Sequence, residues 1–127
     1  MSAVDNSSHN IYLYGGTGAN NQLFDDIYVL SLPSFTWTLV FGPGQSPRWG
    51  HTCHTAGRQM LTASGASTAG FAAPPCEWED KGVGVIDLST MVWESVYNAD
   101  TDPYTVPAKV LSTISGYVKP IGLGDTC

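Results

Sequence analysis

Ile11-Tyr12-Leu13-Tyr14-Gly15-Gly16 returns in altered form as Met60-Leu61-Thr62-Ala63-Ser64-Gly65, and that return decides the fold. Each copy is a short strand-like run closed by glycine, the residue that lets a chain turn sharply. Working outward, the first copy continues into Asp25-Asp26-Ile27-Tyr28-Val29-Leu30, a turn at Pro33-Ser34, and Phe35-Thr36-Trp37-Thr38-Leu39-Val40. The second, opened by Gln59, continues into Val83-Gly84-Val85-Ile86-Asp87-Leu88, a turn at Ser89-Thr90, and Met91-Val92-Trp93-Glu94-Ser95-Val96. Trp37 and Trp93 lie 56 positions apart, as do Leu32 and Leu88, whereas Gly16 and Gly65 lie 49 apart. The surplus of seven falls in 66–80, where Pro74-Pro75-Cys76 marks an extended loop between two strands of one unit. A period near about 50 residues with four short strands per unit is the signature of radially arranged antiparallel blades.

Composition agrees with an all-β chain. Hydrophobic residues make up 43% of the 127 and charged residues only 13%, while glycine, proline, tryptophan and tyrosine are plentiful. That balance suits short strands joined by tight turns rather than helices rich in lysine and glutamate. Five basic residues against eleven acidic ones give a net charge of −6, which excludes the basic footprint of a nucleic-acid binder or an anionic-membrane binder. No apolar run approaches the roughly 18 to 20 residues of a membrane span, and Met1 to Asn10 does not resemble a signal peptide. No targeting signal is therefore read in this chain.

The chain divides into a polar N-terminal segment (1–10), a partial blade (11–41) that starts at its second strand, a blade (47–97) carrying the inserted loop 66–80, and a final stretch (98–127). In the last, Asn98 to Pro103 is an acidic, turn-rich linker. Pro107 followed by Val110, Leu111 and Ile114, with Gly116 beyond, fits a short helix, the alternative being the opening strand of a third blade.

A strand ending in Gly15-Gly16, an aromatic-aliphatic strand with Tyr28, and Trp37 opening the last strand together resemble the kelch repeat. Pro47-Arg48-Trp49-Gly50-His51-Thr52 resembles that family's first-strand signature and sits directly before the second copy, whose Gly65 and Trp93 complete it. The resemblance covers residues 11–97 and implies a kelch-type β-propeller of antiparallel four-stranded blades, of which this chain supplies about two. Ser64 replaces the first glycine of the pair and Gly84 stands where Tyr28 sits. More narrowly, Asn10 to Gly16, His51-Thr52-Cys53-His54, Cys76-Glu77-Trp78-Glu79 and Tyr104-Thr105-Val106-Pro107 resemble the extracellular kelch proteins of filamentous fungi. The implied function is a binding scaffold whose partners are a protein or glycan ligand and the remaining blades of a longer parent, at the cell surface or outside it. The alternative is a fragment of a kelch-propeller enzyme, such as a galactose-oxidase-like copper oxidase or an epimerase.

Physical reasons attach to the motif positions. Gly15-Gly16 can take positive φ and admit a neighbouring backbone where strands crowd. Trp37 and Trp93 are each expected to bury a large apolar surface between adjacent blades. The loops Asn20 to Phe24 and Phe71 to Asp80 are expected to carry the ligand, with Phe24, Phe71 and Trp78 as apolar anchors beside polar groups.

Candidates for catalysis and metal binding resolve to structural roles. His51, Cys53 and His54 carry zinc-binding atoms, but on a strand His54 faces away from the other two, so neither metal nor cofactor is expected. Gly15-Gly16-Thr17-Gly18 lacks the third glycine and following helix of a dinucleotide cradle. The carboxylates Asp25-Asp26, Glu77, Glu79-Asp80 and Asp100 with Asp102 lie in loops with nothing fixing their separation, and no nucleophile elbow is present. No catalytic residue is assigned.

Two modifications are expected in a secreted parent. Asn6-Ser7-Ser8 is an N-glycosylation sequon in a polar stretch. Cys53, on the first strand of the second unit, and Cys76, in its inserted loop, are 23 positions apart, and a bridge between them would contribute about 3 kcal/mol in the chain-entropy model. The alternative is two free thiols; Cys127 has no evident partner.

Overall fold

A computed structural model describes residues 8–42, 47–66 and 83–114. Three strands, β1 (His9–Tyr14), β2 (Ile27–Leu32) and β3 (Thr36–Phe41), form one sheet in that order. Four more, β4 (Thr52–Ala56), β5 (Gln59–Ala63), β6 (Val83–Asp87) and β7 (Val92–Glu94), form a second sheet in that order, and a helix, α1 (Ala108–Ile114), follows. Every strand pairing is antiparallel. The all-β expectation and the short terminal helix both stand.

Repeat and register coincide. Ile11, Leu30 and Trp37 lie side by side across the first sheet, and their repeat equivalents Met60, Ile86 and Trp93 lie side by side across the second. Side chains alternate between faces along a strand, so each triplet marks one face of its blade. The turns match too, since Phe35 and Met91, 56 residues apart, both take positive φ at 53° and 57°. Phe35 thus belongs to the turn rather than to the strand after it, and its ring is 75% exposed.

The first sheet begins at His9, two residues earlier than the polar reading of 1–10 implied. Asn10 is fully buried there, because its amide is satisfied rather than solvated: Ser31 donates to its Oδ1 at 2.8 Å, and its Nδ2 donates to Tyr104 Oη at 3.1 Å. A polar residue enters a sheet interior when its hydrogen bonds are replaced one for one.

The core lies between the sheets. Tyr14, Ile27, Val29 and Val40 from the first meet Met60, Ile86 and Leu88 from the second, joined by Tyr104 and Val110 from the C-terminal stretch. Fully burying an aliphatic side chain of this size contributes roughly 1.5–3 kcal/mol, so this seam holds the two sheets together. Helix α1 packs on β3 and β2, with Val110 wholly inside and Pro107 buried just before the first turn. Proline suits that position because its missing N–H has no helical partner there in any case.

Candidate functional site

Residues Pro47 to His51 run between the closing glycines of both sheets and lock them together. Gly16 N donates to the Arg48 carbonyl at 2.8 Å, and Arg48 N donates to the Phe24 carbonyl at 3.4 Å, which ties the segment to the first sheet. Trp49 and Ala66 exchange backbone bonds of 3.0 and 2.9 Å, which tie it to the second. Arg48 is 1% exposed and reaches across to donate from Nη1 to the Ser64 carbonyl at 3.0 Å. A guanidinium so buried, with Nη1 on the Ser64 carbonyl, makes the segment the keystone between the two sheets.

This packing explains the glycines. A Cβ at Gly15 would collide with the Arg48 carbonyl, and one at Gly65 would come within 2.8 Å of the Trp49 carbonyl and His51 Cβ. Gly15 and Gly65 also hold φ of 67° and 88°. Ser64, at the position equivalent to Gly15, adopts the same left-handed backbone with φ 61°. It retains the glycine conformation without the glycine. His51 stacks obliquely on Tyr14, ring centroids 5.1 Å apart, and burial and then the Arg48 charge lower its pKa below the ordinary histidine value.

Both inter-strand loops start at the keystone, one from Gly16 and the other from Ala66. In the first, Thr17 bridges to Leu23, Gly18 N donates to the Gln22 carbonyl at 2.7 Å, and Phe24 N to the Gly16 carbonyl at 3.0 Å. Asn20 and Asn21 at its tip both hold φ 59°, a conformation asparagine tolerates better than most residues. Phe24, read from sequence as a ligand anchor, is half-buried, and its ring lies against Gly18, where a Cβ would come within 2.9 Å. It therefore braces the loop as well as presenting an edge. The second loop springs from Ala66, which the Trp49 bridge fixes beside the first; its anchors Phe71 and Trp78 lie outside the described residues, as do Cys76 and Asn6.

The other motif residues divide between the two sides of the molecule. Trp93 is half-buried against Tyr14, centroids 5.4 Å apart, and fills the space between the sheets. Trp37, expected to do the same, is 54% exposed, because no second sheet lies against its face among the described residues. Tyr28 is on that open face, at 36% exposure. Gly50 is exposed with φ 67°. Cys53 sits on β4, opposite Thr62 and exposed. Among the described residues no group of three or more His, Cys, Asp or Glu side chains could hold a metal ion, and no helix is long and apolar enough to cross a membrane.

Sequence reasoning missed a buried polar network. Tyr12 Oη donates to the Leu88 carbonyl at 3.0 Å and lies 2.9 Å from Tyr104 Oη, which also accepts from Asn10. Burial raises the pKa of both phenols. The network joins the first sheet, the second and the C-terminal stretch at one point. Asn10 and Tyr104 are 94 residues apart, so no local period announces the pairing.

Two consecutive antiparallel units, matched in register and turn and packed face on face through a tryptophan, define a protein built of β-blade repeats. The chain belongs to the kelch-repeat family. Over 105 residues it is 34% identical to the Kelch repeat-containing protein of Arthroderma benhamiae, a match covering 77% of this chain and 15% of that protein. Over 95 residues it is 26% identical to Tip elongation aberrant protein 1 of Schizosaccharomyces pombe, covering 73% of this chain and 8% of that protein. The chain thus spans a small part of the length of these fungal relatives. No family profile matches the chain, and no solved structure does.

Proposed function

We propose that the chain is a two-blade portion of a kelch propeller that presents a loop of each blade, Asn20 to Phe24 and Phe71 to Asp80, to a protein or glycan ligand. The observation that carries this reading is the keystone Pro47 to His51, which fixes the bases of both loops through Arg48, Trp49 and Ala66. Binding residues gather on loops held by rigid scaffolds. The open face around Trp37 is where a further blade of the assembly packs. In this reading the assembly lies outside the cell, with a glycan at the Asn6 sequon and a Cys53–Cys76 bridge as its expected marks.

A glycan array and a displayed-peptide library, probed with the chain, test the reading. Replacing 17–24 with a Gly-Ser loop of equal length is expected to abolish the binding found; full retention would contradict the loop assignment. Peptide mapping without reduction is expected to recover Cys53 and Cys76 in one linked peptide, and separate alkylatable peptides would reject the bridge.

A further inference from the structure

The amide side chains buried in the two blades serve the fold. Asn10 is met by Ser31 and Tyr104, and Gln59 donates to Glu94 and accepts from the backbone N of Asn98. Three other amides, consecutive in the chain, stand at the tip of the loop 17–24. Asn20, Asn21 and Gln22 are all exposed, and among the described residues their side chains make no hydrogen bond. The tip that carries them is nonetheless fixed. Gly18 N donates to the Gln22 carbonyl and Gln22 N to the Ala19 carbonyl, while the Thr17–Leu23 bridge and the Phe24 ring against Gly18 close its base. Asn20 and Asn21 both hold φ 59°, a backbone that glycine adopts without strain, so a turn alone would be better served by glycine. What asparagine adds there is an amide.

We infer that this tip reads a glycan, its three amides taking the hydroxyls of a neutral sugar. The inference rests on the reading that this loop meets the ligand, and it chooses between the two ligand classes. A primary amide carries an acceptor and two donors side by side, which matches sugar hydroxyls that both donate and accept. A protein partner needs a different surface, because protein interfaces centre on aromatic or large apolar anchors that become buried. No exposed large hydrophobic residue lies between Tyr14 and Ile27. Gly15 to Gln22 has no charged side chain, and the nearest ionisable groups beyond it, Asp25 and Asp26, are acidic in a chain of net charge −6. Acidic sugars would be repelled rather than paired, which leaves neutral ones. The amides ride on a turn already held by backbone bonds, so little ordering is lost on binding.

An array of neutral and acidic oligosaccharides, probed with the 127-residue chain beside a displayed-peptide library, is the test. Retention on neutral glycans is expected. The double variant Asn20→Gly with Asn21→Gly keeps the backbone and removes two amides. It is expected to raise the half-saturating concentration about tenfold, with a urea midpoint no lower than that of the wild type. Gln22→Ala, at a position of ordinary φ, −64°, supplies the same readout should the double variant not fold. Glycan binding that both variants leave intact overturns the amide assignment; if replacing 17–24 still abolishes that binding, the loop reading survives. Selection of peptides with no glycan retained, or retention of acidic glycans alone, overturns the inference and leaves the loop reading in place. A folded chain that retains neither class overturns both.

Discussion

Trp37 and Trp93 open equivalent strands, follow equivalent turns and sit in equivalent register, yet one faces solvent and the other packs on Tyr14. The difference lies wholly in the neighbour. Each blade buries its face on the next rather than on itself, as in other repeat proteins, so a side chain's burial is a property of the pair. The same holds for the glycine corners, where Gly15 is pressed against Arg48 of the following segment while Ser64 occupies the matching corner with its side chain exposed.

Substitutions that treat the two blades alike should therefore have unlike effects, measured by urea unfolding. The largest contrast is between the tryptophans. Trp93→Ala is expected to cost about 3 kcal/mol, near the lower end of large-to-small core changes, because it empties the seam beside Tyr14. Trp37→Ala should cost under about 0.5 kcal/mol, the usual range for exposed positions. Equal losses would mean that both faces are covered within one chain.

Next comes the polar network that binds the C-terminal stretch to both blades. Tyr104→Phe removes the hydroxyl shared by Tyr12 and Asn10, and leaving a buried amide short of a partner should cost about 1–3 kcal/mol. Tyr28→Phe on the open face is expected to change nothing measurable. A neutral Tyr104→Phe would show that the C-terminal stretch is not docked as described.

Exchanging the corner residues sharpens the comparison. Gly15→Ser places a Cβ against the Arg48 carbonyl as well as forcing a left-handed serine, so it should cost more than the roughly 1–2 kcal/mol of backbone strain alone. Ser64→Gly removes that strain at an exposed corner and should stabilise by up to about 1 kcal/mol. A destabilised Ser64→Gly would show that serine has a contact of its own there.

The smallest effect is a pH dependence. His51 has its pKa lowered in the folded chain by burial and by Arg48. The unfolded chain therefore takes up the proton first as pH falls below about 6.5, and stability declines from there until the folded histidine also titrates. His51→Gln is expected to flatten that part of the pH profile. An undiminished slope in the variant would assign it to another group.

The blade pattern was legible because period and register are local: strand runs, glycine corners and tryptophans recur at fixed spacing and force equivalent pairings. Helix α1 was legible from Pro107 and the spacing of Val110, Leu111 and Ile114. What the sequence could not show is partnership. Trp37 and Trp93 read identically because the burial of each depends on a face far away in the chain. Asn10 read as a polar lead-in because its partners, Ser31 and Tyr104, lie 21 and 94 residues on. Arg48 was recognised as a motif residue, but its role between two glycine corners appears only when both sheets are in place.

The central claim, that equivalent faces of the two blades differ because one is covered and the other open, is most directly tested by fluorine NMR. With 5-fluorotryptophan in the chain and resonances assigned by single Trp→Phe changes, solvent exposure is read from the H2O/D2O shift at Trp37 and Trp93. A large shift at Trp37 and a small one at Trp93 is the expected result; equal shifts, or the reverse order, would contradict the account.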